Sequence, residues 1–364
     1  MTCQVIAGHL RHGHRMGSDF AKESCAVRSS LPGALLFVLL AMGRPAPAAP
    51  LPSSPVEMDR LDHVLLWGRS IEEVTSVMTA RLGFQVVPGR NPDGVANRYV
   101  RLADGSYIEL LGITRPGAAM DPGMLADQAS LRGGAGSRTF GLRTPTLDAR
   151  RRQLLAAGFA PTDVFSASAK DPDGDGPAYP PRWRLFAFQR DPLSSHLFFI
   201  DYAALRATPA READLRAARL HPNGAQAVTA FWLLSADAEA NRKRLERMGF
   251  GGATPVRFPQ VAARGYCIPV DGKRLLALQP DGAGIAADAL RNGGPQVLGI
   301  DVAVADLELA RRRVARGYEA DVAANDGLFG PAFLAPSRED LGMLVEFHAS
   351  QATGQATACP ATGH

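Results

Sequence analysis

The stretch Leu61-Asp62-His63-Val64-Leu65-Leu66 opens an apolar run, and Tyr107-Ile108-Glu109-Leu110-Leu111 closes the same segment some forty residues later. Between them a helical pattern starts at Ser70-Ile71-Glu72-Glu73 and stops at Leu82-Gly83-Phe84. Ser followed three residues on by Glu is a capping box. Ile71, Val74, Val77, Met78 and Leu82 then recur at helical spacing. Asp104-Gly105 marks a hairpin turn before the closing strand. The segment therefore predicts one strand, one helix and three strands.

The same frame recurs three times. Gly followed by an aromatic residue ends a helical pattern again at Gly158-Phe159, Gly249-Phe250 and Gly317-Tyr318. Strand-like runs flank each one: Thr139 to Leu142 and Leu197 to Asp201, Thr229 to Leu234 and Arg274 to Leu278, Gly299 to Val304 and Met343 to Phe347. One Gly past a helix end means little. Four in register mean an internal repeat, which fixes how the chain is divided. The expected class is α+β, four βαβββ modules in two tandem pairs. The boundaries read as a signal peptide over 1–48, a linker over 49–58, module pair one over 59–205, a linker over 206–224, a degenerate module pair two over 225–349, and a disordered tail over 350–364.

Hydrophobic content of 46% and charged content of 21% describe an ordinary globular chain of 364 residues. The net charge of +4 is carried largely by the first 48 residues; without their five basic and two acidic side chains it is +1. That balance gives no footing for nucleic acid. Lys22 and Arg28, the apolar run from Leu31 to Met42 and the small residues Ala46-Pro47-Ala48 read as a cleaved secretory signal, with Met16 as an alternative start. The expected location is periplasmic or secreted, with no membrane attachment after cleavage. Cys267 and Cys359 remain in the mature chain, and the Gly/Ala/Thr setting of Cys359 argues against a disulfide framework.

The order Leu61-Asp62-His63-Val64, Gly94-Val95-Ala96-Asn97, Tyr107-Ile108-Glu109-Leu110, Trp183-Arg184 and His221-Pro222-Asn223-Gly224-Ala225 resembles the vicinal oxygen chelate superfamily, and within it the glyoxalase-like family. The resemblance implies a cup between paired modules, with metal ligands on the first and last strands. Those slots hold His63 and Glu109 in the first module. In the second they fall near Thr139 and near Asp201, with His196 upstream, and His221 lies just beyond. The implied cofactor is a divalent ion (Zn, Mn, Ni or Fe), for which imidazole and carboxylate are suitable donors. His63, Glu109, His196 and His221 are the candidate ligands, and Glu109 and Asp201 the candidate catalytic carboxylates. Asn97, Tyr107, Trp183 and Arg184 are candidate substrate contacts. Arg184 reads either as a fork for a substrate carboxylate or as a surface cation stacked on Trp183, and His221 either as a ligand or as a linker contact. In the second pair only Glu346 matches a ligand slot, so that pair reads as scaffold. Asp171-Pro172-Asp173-Gly174-Asp175-Gly176 opens like a calcium loop but has Arg182 where the bidentate acid belongs. The implied activity is a metal-dependent lyase, isomerase or dioxygenase-like reaction on a small oxygen-rich substrate; the alternative is a metal-free binder that sequesters a small molecule. A small-molecule substrate is the expected partner, with a homodimer as an allowed assembly.

Overall fold

Strand alternation and helix periodicity build two copies of one curled sheet. The computed structural model describes residues 59–350 and 359–360, apart from 90–93, 116, 118–123, 125–126, 130, 132–133, 167–182 and 204–207. The expected signal, the linker over 49–58 and the acidic loop at Asp171 lie outside the described residues.

The first sheet holds β1 (Arg60–Trp67), β2 (Val87–Pro88), β3 (Val95–Arg101), β4 (Tyr107–Ile113), β5 (Gly136–Arg143), β6 (Phe165–Ser166), β7 (Trp183–Phe186) and β8 (His196–Tyr202), in the order β2-β3-β4-β1-β5-β8-β7-β6. The second repeats it with β9 (Ala225–Leu234), β10 (Thr254–Phe258), β11 (Ala263–Val270), β12 (Lys273–Pro280), β13 (Gln296–Val304), β14 (Ala324–Gly327), β15 (Gly330–Ala335) and β16 (Leu344–Ala349), in the order β10-β11-β12-β9-β13-β16-β15-β14. In each, the first and last strands of a module run parallel, and the two first strands meet antiparallel at the centre. His63 lies opposite Tyr107 and Leu65 opposite Glu109. The predicted pairing of the opening and closing runs is therefore present, and so is the grouping of modules one with two and three with four.

The helices follow from caps and apolar stripes. In α1 (Ile71–Ser76), Ser70 accepts from the Glu73 amide at 3.0 Å. A widened turn over Val77–Arg81 carries the helix on to Leu82. Then come α2 (Leu147–Ala156), α3 (Pro209–Ala218), α4 (Ala238–Arg247), α5 (Ile285–Gly293), α6 (Leu307–Tyr318) and the single turn α7 (Arg338–Leu341). Asp237 and Asp306 cap α4 and α6 by accepting the amides of Ala240 and Leu309. The buried residues of α1, α2, α4 and α6 share one core with Val64, Leu66, Phe140, Phe231, Ile300 and Phe347. The repeat helices are thus the filling between two sheets; the other face of the first sheet is concave, and that of the second packs on α5 in a core of its own.

The fourth Gly-aromatic pair departs from the other three. Gly83, Gly158 and Gly249 take positive φ just past a helix, whereas α6 runs through Gly317 and Glu319 takes the left-handed position at φ 51°. Gly317 serves a close approach instead: a Cβ there would lie 2.3 Å from the Arg81 carbonyl oxygen.

One expectation about the ends of pair two changes, and one of two open readings is present. Cys267 on β11 and Cys359 form a disulfide that closes a 92-residue separation. The tail composition hid this, because a cysteine in a Gly/Ala/Thr stretch carries no local signal of its partner. His221-Pro222-Asn223-Gly224 is a clasp between the pairs. Asn223 is fully buried; its amide donates to the Leu82 carbonyl at 2.9 Å and its oxygen accepts from the Ala225 amide. No helix among the described residues is long and apolar enough to cross a membrane.

Candidate active site

Alternation along β1 and β4 sends His63, Leu65 and Trp67, with Tyr107, Glu109 and Leu111, to the concave face of the first sheet. There Leu65, Trp67, Val95, Leu111, Phe198 and Ile200 form a separate apolar cluster. Trp183, Tyr202, Met124 and Leu131 pack against it. The wall is therefore aromatic and aliphatic, with polar groups confined to one patch.

That patch centres on His63, which keeps only 2% exposure. Its Nδ1 lies 2.7 Å from Asp62 Oδ2. Neighbours along a strand normally face opposite ways, but the β1–β5 register shifts between Leu61 and His63, and both side chains reach one site. The Tyr202 hydroxyl donates to the same Asp62 oxygen at 2.6 Å. Tyr107 and Tyr202 hydroxyls are 3.1 Å apart, and Tyr107 Oη is 3.3 Å from His63 Nε2. The imidazole stacks on the Tyr107 ring at 4.1 Å and meets Phe198 edge-on at 5.1 Å. Gly141 keeps this contact open, since a Cβ there would come within 2.7 Å of the Phe198 ring.

The electrostatics follow from burial and donors. Burial alone raises the Asp62 carboxyl, but hydrogen bonds from His63 and Tyr202 and the charge of Arg143 outweigh it and hold it below the ordinary aspartate value. Burial, followed by the neighbouring charges, pushes the Tyr107 and Tyr202 hydroxyls well above the ordinary tyrosine value. Both phenols therefore remain donors. Tyr202 donates to Asp62, so the Tyr107 proton is available either to the Tyr202 oxygen at 3.1 Å or to His63 Nε2 at 3.3 Å, and Glu109 Oε2 lies 3.6 Å from the same nitrogen. Glu109 is held by Asn97, whose amide donates to Oε1 at 3.1 Å.

The expected site residues thus divide. His63, Glu109, Asn97 and Tyr107 converge, and Trp183 lies beside Tyr202 on the cup face. Arg184 does not join them. One residue along β7 from Trp183, it faces the helix layer, where it donates to Asp201 at 2.6 Å and to Asp148 of α2 at 3.1 Å. Arg184 and Asp201 are an ion pair outside the cup, so neither the carboxylate fork nor the catalytic acid is placed where substrate would lie. His196 stands opposite Thr139, with Asp191 at 3.3 Å and Asp127 at 3.8 Å. His221 is a structural contact: Nδ1 accepts from the Gln85 amide at 3.0 Å and Nε2 donates to the Arg101 carbonyl at 2.9 Å. Burial lowers its pKa, in keeping with a neutral ring.

Asp62, Tyr202 and Asp127 were not singled out from sequence. Asp127 is fully buried and accepts from Trp67 Nε1 at 2.7 Å, tying the segment that carries Met124 to the cup wall. Tyr202 had one readable signal, since it shares a strand face with Phe198 and Ile200.

A divalent metal is what the family resemblance implies, and the donor set tests it. Val64 pairs with Phe140, so the local twofold of the pair carries His63 onto Thr139. It carries Glu109, through its neighbour Leu65, onto Phe198, which neighbours Gly141. A hydroxyl and a phenyl ring thus occupy the two slots of the second module. Catalytic metals usually take three protein ligands, and among the described residues no group of three His, Cys, Asp or Glu side chains is arranged to hold a metal ion. The residues present do not complete the site, and no chemical step is routed through a metal.

Two curled sheets of paired βαβββ modules, with a polar patch inside one cup, define a vicinal oxygen chelate protein. The model of the glyoxalase-like domain family matches residues 61–249, more than half of the chain, and the chain belongs to that family. No curated protein matches. Among solved structures, a mutant 4-hydroxymandelate synthase from Streptomyces coelicolor is similar at 13% identity with a TM-score of 0.56, over 82% of this chain and 95% of that one. A catechol 2,3-dioxygenase is similar at 15% identity with a TM-score of 0.48, over 84% of this chain and 91% of that one. At 13% identity the likeness to the synthase shows the fold alone.

Proposed function

We propose that module pair one is a small-molecule enzyme site in which His63 takes a proton from a carbon or hydroxyl of an oxygen-rich substrate, in the manner of a lyase or isomerase. The observation that carries this reading is the buried Asp62–His63 contact of 2.7 Å. A carboxylate on Nδ1 fixes the tautomer and leaves the Nε2 lone pair as the base. A proton gained at Nε2 is then shared with Glu109 and the Tyr107 hydroxyl, so the new imidazolium lies between two carboxylates. Tyr107 supplies the phenol next to the reacting atoms, and Trp67, Phe198 and Trp183 pack the apolar part of the substrate. The metal-dependent form of the reading rests on His63 and Glu109 alone, and Thr139 and Phe198 argue against it. Pair two acts as scaffold. The Cys267–Cys359 bridge supports export to an oxidising compartment.

The experiment is proton exchange. The mature protein is incubated in D2O with a panel of small hydroxyketones and aromatic 2-hydroxy and 2-oxo acids, and deuterium entry next to the carbonyl is followed by NMR. Wild-type exchange that disappears in His63→Gln supports the reading. Binding of panel members without exchange assigns the cup to sequestration instead.

A further inference from the structure

Two hairpin turns of the repeat meet at the seam between the module pairs. Asp104-Gly105-Ser106-Tyr107 leads from β3 into β4, and Asp271-Gly272-Lys273-Arg274 leads from β11 into β12 at the matching place in module three. Gly105 and Gly272 take φ of 90° and 76°, a conformation that such tight turns leave to glycine. Asp104, Gly105 and Ser106 of one turn and Asp271 and Lys273 of the other line a single cavity, with Asp62 at the start of β1.

The turn of pair one is held from pair two. The Ala103 amide donates to the Gln226 carbonyl of β9 at 2.9 Å, and the Ser106 hydroxyl accepts the Val228 amide at 3.1 Å. Asp104 ties these together. Its Oδ1 accepts the Ser106 amide at 3.0 Å and hydroxyl at 2.6 Å, while its Oδ2 takes the Lys273 ammonium at 2.7 Å. Only 13% of the Lys273 side chain is exposed, and a lysine so enclosed needs a partner. Burial lowers its pKa, against the charge of Asp104 and then that of Asp62.

Tyr107 follows Ser106 directly and opens β4. It stacks on the His63 ring at 4.1 Å and sets its hydroxyl 3.3 Å from His63 Nε2. A shift of the turn therefore moves the phenol against the imidazole. We propose that Lys273, supplied by pair two, is a positioning residue for the site of pair one: through Asp104 and Ser106 it fixes the turn that delivers Tyr107 to His63. The consequence for chemistry rests on His63 being the base; the consequence for geometry does not. The supporting role of pair two thereby reaches the reacting groups of pair one.

The test uses the whole mature protein. Lys273→Met keeps most of the stem and removes the ammonium, and Lys273→Arg restores a cation. The His63 ring signals, assigned by their loss in His63→Gln, lie in the ring current of Tyr107 and are read by NMR on histidine-labelled protein. They should move in Lys273→Met and return towards wild type in Lys273→Arg. With the hydroxyketone and 2-hydroxy acid probes, deuterium exchange in Lys273→Met should lose about tenfold or more in kcat with KM unchanged, the scale of a small misplacement of reacting groups. A role in stability alone would leave both signatures of the folded protein as in wild type. If Lys273→Met does not fold, Asp104→Asn takes its place, since it loses the ion pair and keeps an oxygen for Ser106. His63 signals at their wild-type positions in the folded variant, or a kcat equal to wild type, overturn the proposal. Absence of exchange in wild type removes the base reading instead, and the NMR comparison still decides the positioning.

Discussion

Replacing Glu346 with Gln should make the protein more stable at alkaline pH and flatten its stability profile. Glu346 is 1% exposed on β16 and sits opposite Asp301 in the ladder. Among the described residues, Glu346 Oε2 and Asp301 Oδ2 both lack a hydrogen-bond partner. Burial, then the Asp301 charge, pushes the Glu346 carboxyl up to about 9. Burial also raises Asp301 to about 7, against the Trp232 indole at 2.8 Å and the charge of Arg274. The folded chain thus keeps a proton on Glu346 that the unfolded chain releases above its ordinary value of 4.5. A raised pKa means stability that is full below the unfolded value and is lost as pH climbs toward the folded one. Each pH unit in that window costs about 1.4 kcal/mol per proton, so the Glu346 proton accounts for a loss of about 4 kcal/mol between pH 5.5 and 8.5. Gln carries no such proton and fits the same space. Urea unfolding of wild type and Glu346→Gln at pH 5.5, 7.0 and 8.5 reads the difference. Parallel profiles, or a Gln variant weaker than wild type at pH 8.5, would refute the argument.

Other perturbations test other parts. Tyr202→Phe removes a donor to Asp62 and should cost about 1–3 kcal/mol of stability and slow any His63-dependent exchange, measured by urea unfolding and the deuterium assay. Cys359→Ser opens the long loop closed with Cys267 and should destabilise by about 2–4 kcal/mol, an effect that wild type reproduces under reducing conditions. Thr139→His supplies the third donor that the second module lacks. It should raise zinc affinity over wild type in a competition titration, and equal affinities would show that the twofold placement of that slot is wrong.

The architecture was legible because it is written in spacing. Period-two runs, capping residues and the Gly-aromatic register name the strands, the helices and their repeat, and backbone geometry leaves few ways to join them. The site was half legible. His63 and Glu109 stand out as a base and an acid in apolar strands, which is costly without partners. Asp62 did not, because alternation places it on the opposite face from His63, and only the register shift in β1 brings it round. Arg184 read two ways, as a fork in the cup or as a surface cation beside Trp183; adjacent residues of a strand face apart, and Arg184 pairs with Asp201 and Asp148 on the helix side. Cys359 and Asp127 depend on partners far along the chain, and nothing local encodes such a pairing.

If His63 moves a proton without a metal, wild-type protein stripped by chelator still brings deuterium into a turned-over substrate. Exchange then continues at the unstripped rate and vanishes in His63→Gln. Exchange that stops on stripping and returns with Zn, Mn, Ni or Fe would show that the proton transfer needs the ion.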